Sequence, residues 1–422
     1  MKKINFIALA AIIIVVVLIF VANQASAHSI DFDGDASCEA TATTGERVAW
    51  ACSIAGGTPP PDPDPPPPPP PPQPGPGEWP AELPQPSMNP DTMTACAAPT
   101  FDGDKWYTLS GNNCVSTGIN IFGASLRVEG SGVWVRDFRI NGDGTDKVGV
   151  RVNGSNVVIE NGEVSHLLGN DKHCYTTAGG ARDVWIIKSK GYYCSGDGFQ
   201  AGHQSSSNPP TNIYLWANQF WENGENGIDL KYINNFIAVE NRHWGMVRRP
   251  SDSLWCLPDD PTRCAMQNSG SDGTAIVVGS DGGPTGYAFY REEMFDSDAG
   301  MRIEEANSDG IVQGTHCHDV ANFCFKLDKK SGRIQYSGNI VERTTRGILQ
   351  DWRTNFALDV DGNLFKDLTG PAIEYESRTV CEVSTLTNNT FDNAMPVICG
   401  NTQANDQASV NALPGASGNL VQ

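Results

Sequence analysis

The chain has 422 residues, of which 39% are hydrophobic and 18% charged, and its formal net charge at pH 7 is −20. This acidity argues against a nucleic-acid partner, because a phosphate backbone selects a basic surface. It does not exclude an anionic substrate, since a metal ion or a local group of arginines can reverse the sign of the charge within one groove.

Residues 1–27 have the pattern of a secretory signal peptide. Lys2 and Lys3 precede an apolar run over residues 6–22, and Ala25-Ser26-Ala27 provides a cleavage signature of small residues. The alternative is an uncleaved membrane anchor, because such a run approaches the length that spans a bilayer. The sequence therefore predicts a protein that is secreted or held at the cell surface.

Two segments separate the signal peptide from the main domain. Residues 28–57 hold Cys38 and Cys52 and are too few for a core of their own, so their role stays open. Residues 58–80 are a proline-rich linker, which cannot form a helix or a sheet ladder and extends as polyproline II. At about 3.1 Å per residue, it forms a semi-rigid arm of roughly 60 Å.

The twelve cysteines suit an oxidising compartment. Taken in order, they pair as near neighbours: Cys38/Cys52, Cys96/Cys114, Cys174/Cys194, Cys256/Cys264, Cys317/Cys324 and Cys381/Cys399. Their spacings fit no zinc motif. The sequence His316-Cys317-His318 is the one cluster that could hold a metal, and a disulfide beside two surface imidazoles is the interpretation we favour for it.

Residues 81–422 are predicted to form a single domain of short repeated strands. Asp137 and Asn161 are separated by 24 residues, and the later turn asparagines recur at intervals of 23, 24 and 26 residues, at Asn218/Asn241, Asn339/Asn363 and Asn363/Asn389. A second column of strands recurs beside these turns and includes the sequences DGFQA, NGIDLKY, AGMRIEE and FCFKLD. No long stretch has a helical period.

A repeat near 24 residues with about three strands per unit predicts an all-β, right-handed parallel β-helix of about ten coils. An antiparallel sandwich would show hairpin signals every 8–12 residues, and a propeller would repeat at about 40–50. The recurring asparagines are predicted to form a hydrogen-bonded ladder inside the coil. Residues 244–273 break the period with a Pro/Cys loop that we expect to wall a groove.

Residues 196–232 contain the candidate site. Asp197 opens the strand GDGFQAG, Glu225 and Asn226 precede the next strand of that column, and Asp229 projects from it. Stacked coils lie about 4.8 Å apart, so these oxygens could share one Ca²⁺, which takes six to eight oxygen ligands. The alternative is a solvated acidic turn with an Asp–Lys pair beside it.

These residues resemble those of the parallel β-helix polysaccharide lyases, and above all of the family 9 pectate lyases. The resemblance aligns Asp197 with the aspartate of that family's DGF-type strand start, and Asp229 with the aspartate of its later strand. Glu225 and Asn226 fall at its adjacent acidic pair, one of them now an amide. The motif covers about 35 residues and implies a calcium site formed by Asp197, Glu225, Asn226 and Asp229.

The resemblance also implies a reaction. In these lyases calcium neutralises a uronate carboxylate, a lysine or arginine removes the C5 proton, and the 4-linked sugar leaves by β-elimination. The family's lysine falls here in the Cys256/Cys264 loop, which contains no lysine. We therefore expect Lys231 to be the base, with Arg302 as the second candidate, and a purely structural pairing of Lys231 with Asp229 remains open.

Substrate recognition is predicted for the arginines near the insertion, Arg242, Arg248 and Arg249, because arginine pairs bidentately with carboxylates. His203 and His173 lie near the GDGFQAG strand and are further candidate donors to substrate, and for each a role outside the site is the interpretation we favour. Trp221 and Trp244 could stack on sugar rings. Incidental surface charge is the alternative for the arginines.

The sequence thus predicts a secreted, monomeric lyase that cleaves an acidic polysaccharide of the pectate or alginate type with Ca²⁺ as its cofactor. Three alternatives remain: a non-catalytic surface adhesin or filament, a glycoside hydrolase, and a uronate epimerase. The hydrolases of this fold carry a Gly-His-Gly motif that this chain lacks. Fold alone decides none of these functions.

Overall fold

The computed structural model describes residues 29–32, 36–41, 49–54, 79–143, 146–202, 208–279, 283–304, 308–328, 331–351 and 355–422. The predicted signal peptide, nearly all of the proline-rich linker and His203 lie outside these ranges. Among the described residues there is no helix with the length and hydrophobicity to cross a membrane. The chain divides into two compact units, residues 1–75 and 76–422.

The first unit contains a three-stranded antiparallel sheet, formed by Ser29–Phe32, Ala36–Thr41 and Ala49–Ile54. The second strand pairs with both of the others, and Cys38 lies directly opposite Cys52. This register places the two cysteines that the sequence pairs on facing positions of neighbouring strands.

The second unit is a parallel β-helix, as predicted. Its strands form three parallel sheets, because the chain contributes a strand to each sheet in turn and then returns to stack on its own previous coil. Sheet 1 has fourteen strands, of which only the first and last pair antiparallel. They are Thr100–Phe101, Trp106–Leu109, Ser125–Val128, Val150–Val152, Tyr175–Thr177, Phe199–Ala201, Ile228–Leu230, Thr274–Val278, Ala299–Ile303, Phe323–Leu327, Arg346–Gln350, Pro371–Tyr375, Met395–Cys399 and Thr402–Ala404.

Sheets 2 and 3 meet at a bend, and two long strands, Ser131–Asn141 and Ser155–Leu167, run through both. Sheet 2 also contains Thr94–Ala95, Asn112–Thr117, Arg182–Ile187, Thr211–Trp216, Asn234–Val239, Thr285–Tyr290, Gly310–Gln313, Ser331–Ser337, Asn355–Asp361, Thr385–Thr387 and Ala416–Ser417. Sheet 3 also contains Asn120–Phe122, Lys190–Cys194, Gln219–Trp221, Arg242–Trp244, Glu293–Phe295, His316–His318, Ile340–Glu342, Leu364–Lys366, Thr390–Asp392 and Leu420–Val421. Short helices are Pro90–Thr92 (3-10), Arg378–Val383 and Gln407–Asn411.

Alternation along each strand separates the core from the surface. In Ile228–Leu230 the two outer side chains are completely buried in the core, and the central Asp229 points away from it. Each inward side chain lies on its counterpart in the next coil, as Phe365 does on Phe391, whose ring centroids are 5.4 Å apart. Burial of one such ring stabilises the fold by about 1.5–3 kcal/mol.

The predicted asparagine ladder is confirmed at the bend between sheets 2 and 3. The side-chain Nδ2 of Asn339 donates to Oδ1 of Asn363 at 2.9 Å, and Asn363 donates to Asn389 at the same distance. Asn218 donates to Asn241 at 2.8 Å, 23 residues further along the chain. All of these side chains are buried, so the ladder supplies partners for amides that water cannot reach.

Glu292 takes the ladder position after Asn241. Its Oε1 accepts from Asn241 Nδ2 at 3.0 Å, and its Oε2 lies 2.9 Å from Nε2 of His243. The interval from Asn241 to Glu292 is 51 residues, because the insertion leaves the coil between them. Glu292 and His243 are fully buried, so each provides the polar partner that the other needs.

Residues 79–93, here called the strap, cover the outward face of sheet 2. Trp79 meets Trp216 edge-on with ring centroids 5.1 Å apart, and Trp185 Nε1 donates to the carbonyl of Pro84 at 2.8 Å. An ion pair at 2.6 Å joins Glu82 to Arg291. The strap therefore converts an exposed aromatic face into a second apolar cluster.

Five predicted disulfides are confirmed within the described residues. They are Cys96–Cys114, Cys174–Cys194, Cys256–Cys264, Cys317–Cys324 and Cys381–Cys399. The insertion is more regular than the predicted loop: Arg248–Arg249 pairs antiparallel with Ser271–Asp272, and Ser253–Leu257 pairs antiparallel with Asp260–Gln267. Cys256–Cys264 closes the outer of these two hairpins.

Candidate functional site

A groove of about 810 Å³ lies over the outward face of sheet 1. Its floor includes Asp229, Val277 and Arg302, which occupy one outward column because they lie opposite each other in successive coils. Its wall is the base of the insertion, including Arg248–Arg249 and Ser271–Asp272. The predicted wall of a groove is thus present.

Three of the four predicted metal ligands line this groove: Glu225, Asn226 and Asp229. Asp197 lies beneath them and is fully buried. Its Oδ1 accepts from both the backbone N and the side-chain Nδ2 of Asn226, at 3.0 and 2.9 Å. Asp197 therefore fixes the turn that carries Asn226, and the three other predicted ligands line the groove above it.

The structure adds Asp171, which the sequence analysis left out of the site, and it places His173, which was considered only as a donor to substrate, against Asp197. Nδ1 of His173 lies 3.0 Å from Oδ2 of Asp197, and its Nε2 lies 3.3 Å from Oδ1 of Asp171. His173 precedes Asp197 by 24 residues, the length of one coil. Alignment of the sequence by its repeat of about 24 residues could have placed His173 beside Asp197.

Burial and neighbouring carboxylates raise the pKa of Glu225 and of Asp229. Burial, together with the charges of Asp197 and Asp171, raises the pKa of Glu225 to about 8. Burial and the charge of Asp197 raise the pKa of Asp229 to about 7. The site thus holds more negative charge than its own cations balance, which is the condition that favours binding of a further cation.

Two cations already lie within this cluster. Burial works against the charged ring of His173, but Asp171 and Asp197 raise its pKa to about 9. Lys231 Nζ lies 3.4 Å from Asp229 Oδ2, and although burial opposes its charge, Asp229 and Asp197 hold its pKa well above the ordinary value. The predicted pairing of Lys231 with Asp229 is therefore present.

Arg249 joins the insertion to the carboxylates. Its guanidinium donates to the carbonyls of Gly224 and Ser269, at 3.3 and 2.8 Å, and its Nη2 lies 3.6 Å from Glu225 Oε1. The hydroxyl of Ser269 also donates to Glu225. Arg249 is buried, whereas Arg248 is exposed at the rim of the same groove and is the more accessible to a ligand.

Arg302, the second candidate base, lies in the groove and is surrounded by carboxylates. It pairs with Asp272, and with Glu304 and Asp328 at 2.8 and 2.9 Å. Burial opposes its charge, but these carboxylates raise its pKa above the ordinary value. A guanidinium held in this way stays charged, so Arg302 suits anion binding better than proton abstraction.

Arg242 and Trp244, which were predicted to contact substrate, belong to sheet 3. There Arg242 pairs with Glu293 and lies over the ring of Trp244, so the structure does not bring it to the groove. Trp244 stacks on Trp221 with ring centroids 5.0 Å apart and the planes 1° from parallel. Stacked neighbours occupy both ring faces of Trp244, which removes the predicted sugar-stacking surface.

The residues present fit a calcium ion by their chemistry. Glu225, Asn226 and Asp229 offer carboxylate and amide oxygens, the hard ligands that Ca²⁺ prefers, on one side of an open groove. Asp171, His173 and Asp197 also present ligand atoms within 4.8 Å of one another, but both oxygens of Asp197 are engaged in protein contacts. The candidate calcium ligands that line the groove are therefore Glu225, Asn226 and Asp229.

Comparison with solved structures finds polysaccharide-active proteins. A periplasmic alginate epimerase is 10% identical, with 76% of this chain and 79% of that chain covered and a TM-score of 0.39. The A-module of a mannuronan C-5 epimerase from Azotobacter vinelandii is 13% identical over 75% and 86% of the two chains, with a TM-score of 0.35. A pectate lyase is 14% identical over 59% and 68%, with a TM-score of 0.30.

No protein-family model matches the sequence, and no curated protein matches it. Likenesses at these identities and TM-scores carry no argument about activity. The proposal that follows therefore depends on the residues of the groove.

Proposed function

We propose that this protein is an exported, calcium-dependent enzyme that cleaves a uronate-containing polysaccharide by β-elimination. The observation that supports the proposal most directly is the grouping of Glu225, Asn226 and Asp229 with Lys231 at the floor of one groove. Elimination next to a carboxylate requires a cation that neutralises the carboxylate and a base that removes the proton. Oxygen ligands can bind the cation, and an amine can act as the base.

Each residue has a separate part in this proposal. Arg248 and Arg302 bind substrate carboxylates, because both line the groove and both keep a positive charge. Lys231 takes the proton at the carbon next to the uronate carboxylate once its amine is neutral, which a cation bound to the neighbouring carboxylates would favour by offsetting the charges that hold its pKa above the ordinary value. The C4–O4 bond then breaks: O4 leaves with the electron pair of that bond and takes a proton from water, and the electron pair of the C–H bond becomes the new C4–C5 double bond. Calcium, when bound, supplies the positive charge that makes this proton acidic.

The groove continues along the outward face of sheet 1, which suits a polymer. Arg302 and Lys326 lie opposite each other on adjacent strands, and Arg346 opens the strand after them. These three cations line a further depression that shares Arg248 and Asp272 with the main groove. An anionic chain lying there would meet a cation in each successive coil, and it would compete for these cations with the carboxylates that pair with them, Asp328 for Arg302 and Lys326 and Glu374 for Arg346.

The decisive experiment is an absorbance assay near 235 nm for the unsaturated uronate product. The full-length protein would be given pectate and alginate with Ca²⁺, and then with a chelator. We expect product only with Ca²⁺, and we expect Asp229→Asn and Lys231→Ala each to lower kcat at least 100-fold. Lys326→Ala is the matched control: it removes a cation from the same face, and we expect mainly a higher KM.

Two outcomes would contradict the lyase proposal. Absence of product on every uronate polymer, with binding retained, would favour a non-catalytic surface protein. Unchanged activity in Lys231→Ala would remove the assigned base.

A uronate epimerase is the second candidate, and Glu225 is the observation that favours it. An epimerase must return a proton to the same carbon from the other side of the sugar, and Glu225, with its raised pKa, is a carboxylic acid that can still donate near neutral pH. Incubation of the polymer in D₂O separates the two reactions. Deuterium at C5 without new absorbance at 235 nm would identify an epimerase.

A further inference from the structure

A second cluster of ligating side chains lies on the outward face of sheet 3, away from the groove. It consists of Glu293, His316 and His318, whose ligand atoms lie within 4.8 Å of one another. Parallel stacking creates this cluster: Glu293 and His316 are opposite each other on adjacent strands, and His318 follows two residues later, on the same side of its strand. Cys317, between the two histidines, points inward to its disulfide with Cys324.

The orientation of His318 is fixed by its neighbours. Its Nδ1 lies 2.6 Å from Oδ2 of Asp319, and its ring stacks on Phe295 with centroids 5.2 Å apart. A carboxylate on one ring nitrogen is the usual arrangement for a metal-ligating histidine, because it sets the tautomer and directs the other nitrogen to the ion. Here that other nitrogen, Nε2, faces Glu293.

The spacing between His318 and Glu293 is that of two ligands of one ion. Nε2 of His318 and Oε1 of Glu293 are 3.5 Å apart, which is long for a hydrogen bond. Two ligands each about 2.1 Å from a tetrahedral ion are about 3.4 Å apart. The second oxygen of Glu293 is held by Arg242, so Oε1 remains directed at the histidine.

His316 completes the set. Its ring centroid lies 4.4 Å from that of His318, and its Nε2 lies 3.1 Å from Oε1 of Glu342, one coil further on. All three candidate ligands are partly exposed, so an ion can enter from solvent. Two imidazoles and one carboxylate favour Zn²⁺ and similar divalent transition metals over Ca²⁺, which selects oxygen.

We propose that Glu293, His316 and His318 form a zinc-class metal site on sheet 3, independent of the calcium site proposed for the groove. The ion joins two neighbouring coils and leaves an outer coordination position open to water or to an oxygen ligand. This site stabilises the stack of coils, because an ion that binds the folded protein alone raises its stability by mass action.

The test is calorimetric titration of the full-length protein with Zn²⁺, after treatment with a chelator and in the presence of excess Ca²⁺. We expect one Zn²⁺ per chain, binding at least tenfold weaker in His316→Ala and in His318→Ala, and a Zn²⁺-dependent rise in Tm that both variants lose. His166→Ala is the matched control. His166 is also a half-buried sheet 3 histidine with a carboxylate partner, Asp259, and its loss should leave Zn²⁺ binding unchanged.

Two results would overturn the proposal. One is the absence of Zn²⁺ binding by the unaltered protein. The other is equal binding by His316→Ala and His318→Ala, when their Tm without metal matches that of the unaltered protein. Loss of Zn²⁺ binding in Asp229→Asn alone would place the ion in the groove instead.

Discussion

Charge compensation at the groove floor differs from one carboxylate to the next. Asp197 is satisfied by Asn226 and His173, whereas Glu225 and Asp229 line the groove, where burial together with the charge of Asp197 raises the pKa of both. Repulsion between buried carboxylates destabilises the folded state, and a bound divalent cation would remove it. A substitution that removes one carboxylate should therefore act in opposite directions with and without the cation.

The first prediction concerns Glu225→Gln. In chelator at pH 8, we expect this variant to have a higher Tm than the unaltered protein, because one of the repelling charges is gone. With Ca²⁺ the order should reverse, because a ligand has been lost. Differential scanning calorimetry measures both conditions. Glu304→Gln, which removes a groove carboxylate outside the proposed ligands, should not show this reversal.

Among single residues, those on strands were the most predictable from sequence. Asp229 and Lys231 could be placed because alternation and the coil period set their direction. Asp171 was left out, and the contact of His173 with Asp197 was not predicted, because both residues lie between strands, where no alternation shows direction. Arg242 was predicted beside the groove because it precedes the insertion, but the bend at Asn241 turns its strand into sheet 3.

At the scale of elements, the ladder shows how one side chain can hold three coils together. Asn363 donates to the carbonyl of Tyr336 in the coil before it and to Asn389 in the coil after it, and its own oxygen accepts from Asn339. Its replacement leaves buried polar groups without partners in both neighbours. Each such group costs about 1–3 kcal/mol.

The second prediction is that Asn363→Ala lowers the free energy of unfolding by about 2–3 kcal/mol. Urea denaturation followed by circular dichroism measures this value. Thr387→Ala is the surface control: its hydroxyl donates to Asp361 in the neighbouring coil, where water can replace it, so the loss should be about 0.5 kcal/mol. Equal losses in the two variants would contradict a special role for the ladder.

The elements could be predicted as a set because a solenoid repeats one local pattern. The ladder and the column of strands follow from the period, and the five disulfides follow from pairing neighbouring cysteines in chain order. The insertion could not be predicted in the same way: its outer hairpin appeared as a loop because Pro258 and Pro261 interrupt its strand pattern. The turn between Leu257 and Asp260 accommodates Pro258.

At the scale of the whole β-helix unit, the strap covers the apolar outward face of sheet 2, which the repeating coils leave exposed. The outward aromatic side chains of sheet 2 would otherwise be exposed, and Trp79 and Leu83 cover them. The sequence assigned Trp79 to the linker because it lies among prolines. Its ring partner, Trp216, lies 137 residues further along the chain, where no local pattern can indicate it.

The third prediction is that Trp79→Ala destabilises the protein by about 2 kcal/mol, because a half-buried indole and its contact with Trp216 are lost. Urea denaturation measures the change. Leu254→Ala is the control, since Leu254 is exposed on the insertion and should change stability by less than about 0.5 kcal/mol.

The fourth prediction concerns the pH dependence of the strap. The hydrogen bond from Arg291 lowers the pKa of Glu82 below its ordinary value of 4.5. Because the folded-state pKa is depressed, the pair stabilises the protein above pH 4.5 and loses this effect as the pH falls through the folded-state value. Partial exposure limits the contribution to less than about 1 kcal/mol.

We therefore expect the stability difference between the unaltered protein and Glu82→Gln to be present at pH 6 and to shrink as the pH falls below 4.5. Urea denaturation across this range measures it. A difference that grows towards acid would contradict the assigned sign.

The insertion has a consequence for how such a protein can change over evolutionary time. It leaves the β-helix after Trp244 and rejoins sheet 1 at Thr274, so one uninterrupted segment supplies an entire wall of the groove. The floor comes from coils whose stacking does not depend on that segment. Exchange of this one segment could therefore give relatives a different choice of polymer while the reacting centre stays the same.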